Sequence, residues 1–330
     1  MRVAFDSRPS AKLGRLGRYT RCLLDALQQT APAGSEIIES HNPRAADVYH
    51  SPWMQGALLR SPCPMVVTIH DVSSLKRRSE CLRLSTVPRL RHLAVQRADR
   101  VLVPTRTVAA DAIARLELHP DLVTVIPQAP DPALEPASQL EIEAVRRRYQ
   151  LPQCYLLSIG CMHRPGARRE IAKLASLRRS MPLVLVGKPS PWARELKGVR
   201  LTGQIDSDRE LAAIYSGAHA LLLPFEVEGY GIAAVESLAC GTPVAAFDKP
   251  AMRELLRGSA TLVPPGDFES LISAAEQASR PAPAPPSWSW QDAAAATWTA
   301  YEQAISSGLE ACVRPRIAGR RRQMQLRADQ

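Results

Sequence analysis

Short apolar runs rich in β-branched residues alternate with helical patterns along the whole chain, and this alternation limits the fold more than any other feature. The first six runs lie at residues 3–5, 37–38, 48–49, 65–69, 101–103 and 123–126, and the next six at 155–159, 183–186, 199–201, 220–223, 244–247 and 261–263. Strands this apolar leave no face for water, so helices must cover both sides of a parallel sheet. The pattern predicts two doubly wound α/β, Rossmann-like domains.

Two proline-rich stretches divide the chain of 330 residues, a length that suits two domains of roughly 150 residues each. Closely spaced prolines interrupt regular structure at 127–136 and again at 280–287. We predict a first domain at 1–136 and a second at 137–285. A closing helix follows at 286–308, running from about Trp290 to Ser306, and a basic tail occupies 309–330.

The tail is strongly cationic, because residues 313–330 contain six arginines and one acid. This composition is typical of a solvated, partly disordered segment, and it equally suits contact with an anionic membrane at roughly 1 kcal/mol per cationic side chain. Both alternatives stay open. The net charge of +10 fits anionic partners such as nucleotides, nucleic acid or acidic lipids, without choosing among them.

Hydropathy and cysteine usage exclude several classes of protein. No window approaches the roughly 18 uninterrupted apolar residues of a membrane span, and Asp6 interrupts the first apolar run. We therefore expect a cytoplasmic protein. Peripheral binding to the inner face of the plasma membrane is the alternative. The seven cysteines are scattered without a Cys-x-x-Cys pair, which argues against a disulfide framework or structural zinc.

A glycine-rich turn between a predicted strand and helix carries the clearest chemistry. In a doubly wound sheet, ligands bind at the carboxyl ends of the strands. Gly229 and Gly231 let a ligand approach the backbone, and the helix start that follows offers free amides to an anion. Glu228 and Glu236 frame this turn and could accept hydrogen bonds from paired hydroxyls. A nucleotide sugar, with a diphosphate between two polyol ends, would satisfy all of these groups.

The run from Pro224 to Val244, which includes Glu-Gly-Tyr-Gly and Ala-Cys-Gly-Thr-Pro-Val, resembles the signature of family 4 glycosyltransferases with the GT-B fold. The resemblance implies that Glu228 contacts the hydroxyls of the donor sugar and that Glu236 holds the ribose. It also implies that the diphosphate meets the backbone amides of Gly229, Tyr230, Gly231 and Ile232. A glycine turn with a purely structural purpose is the alternative.

The resemblance extends into the first half and to the closing helix, which in this family packs back on the first domain. Gly14-Arg-Leu-Gly-Arg-Tyr19 resembles the family's glycine loop, and two further segments resemble its acceptor-side strand ends. The Asp-Ser-Arg and Gly-Arg-Tyr patterns are most similar to mannosyl- and rhamnosyl-type members, which favours GDP-mannose as donor. The implied site residues are Gly14, Arg15 and Gly17 on the donor side, His50 and Asp71 on the acceptor side, and His70 near the transferring sugar.

The chain departs from the family pattern after the first strand of the second domain. Family members have an Arg-Lys pair there, which neutralises the leaving diphosphate, but this chain has Pro165 and Gly166 at those positions. Losing one such group typically costs about 10²- to 10³-fold in rate. We expect a small loop shift to bring Arg164 and Arg168 to the phosphates, with Arg169 nearby and His163 a weaker substitute.

The leading hypothesis is a retaining hexosyltransferase that uses a nucleoside diphosphate sugar. The acceptor would be a glycan, a polyprenyl-linked sugar or a small molecule, and no nucleic acid is expected. Helix amides and arginines would stabilise the diphosphate, so we expect no metal and no other cofactor. Two alternatives stay open: a catalytically degenerate relative that binds nucleotide or glycan as a subunit, and a sugar 2-epimerase of the same fold.

Overall fold

Two six-stranded parallel sheets, each flanked by helices, make up the protein. The computed structural model describes residues 1–12, 14–72, 86–160, 162, 166–225, 230–256 and 258–313. All twelve apolar runs predicted as strands are strands within these ranges. The doubly wound α/β fold with two Rossmann-like units is therefore confirmed.

The first sheet has the strand order β2-β1-β3-β4-β5-β6. Its strands β1 to β6 span Arg2–Phe5, Glu36–Glu39, Val48–Ser51, Met65–Thr68, Arg100–Val103 and Val123–Val125. The helices α1, α2 and α3 span Arg15–Gln29, Thr86–Val95 and Arg106–Leu116. Central strands β3 and β4 are buried throughout, whereas edge strand β2 begins and ends with an exposed glutamate. Charges at an edge discourage pairing with a further strand.

Side chains of the first sheet alternate between two hydrophobic clusters, as the two-residue period of a strand requires. Val3, Phe5 and Val66 face one cluster, and Ala4 and Val67 face the other. Each cluster is closed by helices on its own side of the sheet. This two-faced burial explains the apolar runs at residues 3–5, 65–67 and 101–103 within β1, β4 and β5.

The second sheet has the strand order β12-β11-β10-β7-β8-β9. Its strands β7 to β12 span Leu156–Ile159, Leu183–Val186, Val199–Gly203, Ala220–Leu223, Val244–Phe247 and Thr261–Val263. The helices α4 to α9 span Gln139–Tyr149, Ala167–Ser176, Asp208–Gly217, Ile232–Ala239, Pro250–Leu256 and Phe268–Glu276. Because β7 and β10 are paired in parallel, the helices α5 and α7 that follow them begin at the same edge of the sheet.

Helix α4 connects the two units and packs against α6 of the second. Its start is fixed by a capping box, in which the Ser138 side chain accepts from the Glu141 backbone and the Glu141 carboxylate accepts from Ser138. These hydrogen bonds and Arg209 lower the pKa of Glu141 to about 2. The domain boundaries themselves stay predictions.

The last helix, α10, spans Trp290–Val313 and returns to the first unit, as predicted. It packs against α1 and against strands β3 to β5, with Trp290 and Tyr301 buried in the same cluster as Phe5. The helix continues past the predicted end at Ser306, so the segment predicted as a tail from 309 begins inside it. Residues 314–330, which hold the six arginines, lie outside the described residues. Among the described helices, none has the length and apolar character that crossing a bilayer requires.

Candidate functional site

The predicted ligand turn follows β10 and leads into α7. Glu228 and Gly229 lie outside the described residues, so their predicted contacts stay predictions. Gly231 caps α7 with a φ of 77°, and a Cβ atom there would lie 2.3 Å from the Met252 methyl carbon. The left-handed backbone favours glycine at this position, and a larger residue would also have to displace the end of the Met252 side chain. The sharp turn at the helix start is thus built into the fold.

Tyr230, whose backbone amide is predicted to meet the diphosphate, has its side-chain hydroxyl bonded inside the protein. The hydroxyl accepts a hydrogen bond from the Gln128 backbone amide at 2.9 Å and donates to the Gln128 carbonyl oxygen. The Trp288 indole donates to the same carbonyl at 2.7 Å. The turn before α7 is therefore tied to the segment that links the two units, and only the backbone of Tyr230 is available to a ligand.

Glu236 is buried and already has protein partners. Its Oε1 accepts from Arg18 Nε at 3.1 Å and from Arg18 Nη2 at 2.7 Å, and its Oε2 accepts from the Tyr215 hydroxyl at 2.9 Å. Arg18 lies on α1 of the first unit, so this ion pair crosses between the units. The sequence assigned Glu236 to a ribose and gave Arg18 no role. The two residues are 218 positions apart, and no local pattern joins them.

The Arg18 guanidinium also reaches a second carboxylate. Its Nη1 donates to Asp208 Oδ1 at 3.3 Å, while Arg21 Nη2 donates to Asp208 Oδ2 at 3.2 Å. Burial by itself lowers the pKa of Arg18, but Glu236, Tyr215 and Asp208 outweigh it, and the pKa is raised. The cation is therefore permanent and is held between two acids.

His70 follows β4 and reaches the same region from the first unit. Its Nδ1 lies 2.8 Å from Gln128 Nε2, which can only donate, so Nε2 carries the proton and donates to the Pro52 carbonyl at 2.9 Å. Burial lowers the pKa of His70 to about 4, with Arg15 acting in the same direction. The ring is neutral near pH 7. Gln128 thus joins the predicted His70 to the turn at Tyr230, while Asp71 lies exposed beside them.

His50 does not line a cleft, contrary to its predicted place on the acceptor side. Its side chain is fully buried, with Nδ1 2.6 Å from the Tyr301 hydroxyl and Nε2 2.9 Å from the Thr68 hydroxyl. Burial lowers the pKa of His50 to about 3. Both ring nitrogens are used inside the protein, because α10 covers the strand end that sequence position alone left open. His50 holds α10 on the sheet.

The segment predicted as a glycine loop forms the start of α1, and it has an exposed and a buried part. Gly14 caps the helix with a φ of 92° and is exposed, as is Arg15. Gly17 instead packs inside, where a Cβ atom would lie 1.8 Å from the Lys12 carbonyl oxygen. Its predicted donor contact is therefore replaced by a packing role. Gly14 and Arg15 are exposed, and their predicted donor contacts stay predictions.

The arginines expected to replace the family's cation pair lie at the start of α5. Arg164 is outside the described residues. Arg168 and Arg169 are exposed in the first turn of the helix, which Gly166 caps with a φ of 82°. Since α5 and α7 begin at the same sheet edge, the two arginines lie on the side of the sheet where the α7 turn lies. Their contact with a diphosphate stays a prediction.

Comparison with known proteins bears on this geometry. Residues 4–134 match the family profile described as Glycosyltransferase Family 4, and residues 153–280 match the profile described as Glycosyl transferases group 1. The chain belongs to glycosyltransferase family 4. The predicted family is thus confirmed over both sheets.

Curated relatives of this family 4 chain are distant and longer. The 2-deoxystreptamine glucosyltransferase of Streptomyces kanamyceticus is 29% identical over 56% of this chain and 52% of that protein. The D-inositol 3-phosphate glycosyltransferase of Salinispora arenicola is 28% identical over 71% of this chain and 58% of that protein. The chain therefore spans between half and three fifths of the length of these relatives.

Solved structures share the fold of this family 4 chain at low identity. Sucrose-phosphate synthase from Thermosynechococcus elongatus has a TM-score of 0.64 and 18% identity, covering 94% of this chain and 98% of that chain. Anabaena HepE, solved in complex with UDP-glucose, has a TM-score of 0.61 and 16% identity, covering 94% of this chain and 100% of that chain. The likeness supports the two-unit GT-B fold.

One Asp-x-Asp triplet, a pattern that could hold a metal, lies at Asp206-Ser207-Asp208. Ser207 caps α6 through its hydroxyl, and Asp208 pairs with Arg18 and Arg21. Within the described part of this family 4 chain, no group of three or more metal-ligating side chains comes together. The prediction that no metal is needed is left for experiment.

Proposed function

We propose that this chain is a retaining glycosyltransferase that moves a hexose from a nucleoside diphosphate sugar to a hydroxyl acceptor. The acceptor is a glycan, a polyprenyl-linked sugar or a small molecule. One observation carries the proposal: the glycine-capped start of α7 at Gly231, with the buried carboxylate of Glu236 one helical turn beyond Ile232. Helix-start amides suit a diphosphate, and a carboxylate suits hydroxyls.

Each group then has a role at the donor. Glu228 accepts hydrogen bonds from the sugar, the backbone amides from Gly229 to Ile232 bind the diphosphate, and Glu236 meets the ribose. The bond from the anomeric carbon to the diphosphate oxygen breaks, and a bond to the acceptor oxygen forms on the same face. The departing diphosphate takes the acceptor's proton, so no protein nucleophile is needed. His70, neutral and hydrogen-bonded at both nitrogens, forms a polar wall and does not act as a base.

The identity of the nucleotide-sugar donor is to be determined by experiment. HepE is described in complex with UDP and with UDP-glucose, and both named relatives are glycosyl- or glucosyltransferases, which supports a nucleotide-sugar donor. The N-terminal pattern favours GDP-mannose, whereas HepE favours a uridine nucleotide. Neither needs a bound metal in this proposal, since helix amides and arginines supply the positive field.

A melting-temperature screen against UDP, GDP, dTDP and ADP identifies the base. A nucleotide at 100 times its Kd stabilises the folded state by about 2.7 kcal/mol, which a melting curve resolves. Incubation with UDP-glucose and with GDP-mannose, each with and without EDTA, then detects hydrolysis or transfer. NMR of the product reports whether the anomeric configuration is retained.

Paired substitutions near α7 test the site. Glu228→Ala should abolish turnover, whereas Glu226→Ala, two positions away, should leave it within a few-fold of the unmodified protein. Undiminished activity of Glu228→Ala would show that the site assignment is wrong.

A degenerate, nucleotide-binding subunit is the second candidate function. It is favoured by Pro165 and Gly166, which stand where the family's Arg-Lys pair belongs, and by the exposure of Arg168. An enzyme that uses Arg164 and Arg168 should lose about 10²-fold or more in rate when either becomes alanine. Nucleotide binding without turnover, unchanged by both substitutions, would favour the subunit.

A further inference from the structure

A buried charge cluster crosses between the two units beside the proposed donor site. It consists of Arg18 on α1, Glu236 on α7, and Asp208 and Tyr215 on α6. The side chains of Arg18 and Glu236 are only 9% and 3% exposed. The carboxylate proposed to meet the ribose is therefore completed by a residue of the other unit.

Counting acceptor positions shows what remains for a ligand. An ionised carboxylate offers about four lone-pair positions. Arg18 fills two on Oε1 and Tyr215 fills one on Oε2, which leaves about one position on Oε2. Both Arg18 bonds end on Oε1 and the Tyr215 bond ends on Oε2, so two donors anchor one oxygen and one donor anchors the other. Arg18 therefore supplies most of the hold on the carboxylate, which sets the direction of the open position on Oε2.

The pair is poorly explained as a device for stability alone. Desolvation of two buried charges offsets most of their attraction, so an apolar pair of similar volume is often as stable or more stable. Breaking such a pair is nevertheless costly. Both facts are consistent with a contact that orients the Glu236 carboxylate and couples the two units. An apolar pair of similar stability would not orient a carboxylate.

We propose that Arg18 is a positioning residue of the donor site, which orients the Glu236 carboxylate toward the donor ribose from the opposite unit. Donor binding then requires the two units in the arrangement described above. This inference rests on the proposed function, because it assigns the open position on Glu236 to a ribose hydroxyl. It adds a residue of the first unit to donor recognition.

The chain offers a matched control in Arg21. Both arginines lie on α1 and donate to Asp208, at 3.3 Å and 3.2 Å, but of the two only Arg18 donates to Glu236. Arg18→Met and Arg21→Met therefore remove the same charge from the same helix. Isothermal titration of each protein uses UDP or GDP, whichever binds tighter, and the 2′,3′-dideoxy form of the same nucleotide.

Arg18→Met should weaken binding of the ribose nucleotide by about tenfold or more, the usual weight of one charge-assisted hydrogen bond. Binding of the dideoxy nucleotide should change less than twofold, because it has no hydroxyl for Glu236. Arg21→Met should leave both affinities within about twofold. A purely structural role would weaken the two nucleotides equally, and that result overturns the proposal.

Arg18→Lys keeps the charge but cannot donate two bonds in a fork, so we expect an intermediate loss confined to the ribose nucleotide. Melting curves show whether each variant is folded. If Arg18→Met does not fold, the comparison of the two nucleotides is made with Arg18→Lys. If the unmodified protein binds no nucleoside diphosphate, the proposed function fails and the inference falls with it. If it binds one but Arg18→Met behaves like Arg21→Met, the inference alone fails.

Discussion

Two buried polar networks in this protein are satisfied by opposite means. Between the units, Arg18, Glu236 and Asp208 neutralise one another as charges. Inside the first unit, His50, Thr68, Tyr19 and Tyr301 form a chain of neutral hydrogen bonds, with 2.6 Å between His50 Nδ1 and the Tyr301 hydroxyl. The first network belongs to the proposed donor site and the second holds the closing helix.

The difference lies in what each network loses when one partner is removed. A charge left alone in the interior keeps its full desolvation penalty, whereas an unpaired neutral group loses roughly one hydrogen bond. The charged network should therefore be the more sensitive to substitution. The stability contributed by the neutral network should depend more strongly on pH, because burial keeps His50 unprotonated in the folded state.

The largest expected effect is that of Glu236→Gln, which leaves Arg18 buried without its closest countercharge. Breaking one partner of a buried pair typically destabilises a protein by about 3 to 5 kcal/mol. The midpoint of urea unfolding measures this. Glu36→Gln is the control, because it breaks an exposed pair with Arg2 that is worth about 1 kcal/mol or less. Equal unfolding midpoints for the two variants would contradict the claim that the buried ion pair is more sensitive to substitution than the exposed one.

Acidification should act on the two buried histidines of the first unit, His50 in the neutral network and His70 in ring contact with its Tyr19. Burial holds the pKa values of His50 and His70 near 3 and 4, below the ordinary value of 6.5. The unfolded chain then takes up protons below about pH 6.5 and the folded chain does not, so stability falls as pH falls. Each histidine adds a slope of up to about 1.4 kcal/mol per pH unit. Unfolding midpoints between pH 7.5 and 5.5 should decline, less steeply in His70→Gln; a flat profile contradicts the burial argument.

Tyr301→Phe tests the hydroxyl that connects α10 to the sheet. The substitution leaves His50 Nδ1 buried without its partner, at a cost of about 1 to 3 kcal/mol in unfolding free energy. Tyr149→Phe is a matched control, since its hydroxyl donates to Glu210 in a partly exposed position. Denaturant titration should place Tyr301→Phe below the control. The reverse order would mean that α10 is held by apolar packing alone.

The smallest effect is expected at a partly exposed contact between the units. Glu254 on α8 accepts from the backbone amides of Arg106 and Thr107, which begin α3, while Thr105 caps the next amide. Glu254→Ala should cost about 1 kcal/mol, the usual value of a helix cap. A thermal melt should show a small shift, with Glu254→Gln between it and the unmodified protein. A loss as large as that of Glu236→Gln would mean that exposure does not govern these contacts.

Several features of the site were accessible from the sequence because they depend on neighbours in the chain. Gly231 lies in a strand-to-helix turn with a left-handed backbone that favours glycine, and the sequence predicted that a helix follows it. His70 was predicted near the same site, and the structure joins it to Tyr230 through Gln128. Features that depend on the local backbone, such as a glycine at a helix start, can therefore be predicted from a few adjacent residues.

Other predictions failed or stayed incomplete because they depended on distant partners. His50 lies near the carboxyl end of β3, much as His70 follows β4, but Tyr301 from α10, 251 residues later, covers it. Gly17 resembles a ligand-facing glycine, yet the Lys12 carbonyl occupies the space beside it. The pairing of Arg18 with Glu236 could not be anticipated, because an arginine in a helix does not specify which carboxylate it will meet.

The sequence by itself determined the two parallel sheets, the order of their elements and the family, because apolar periodicity and the Glu-x₇-Glu turn are encoded over short stretches of chain. Only the tertiary structure decided which polar groups face a ligand and which face one another. The physical reason is desolvation: an enclosed charge must find a partner, and for Arg18 the nearest carboxylate, that of Glu236, comes from the other unit. Glu236 shows both effects: the sequence predicted that it binds a ligand, and the tertiary structure pairs it with Arg18.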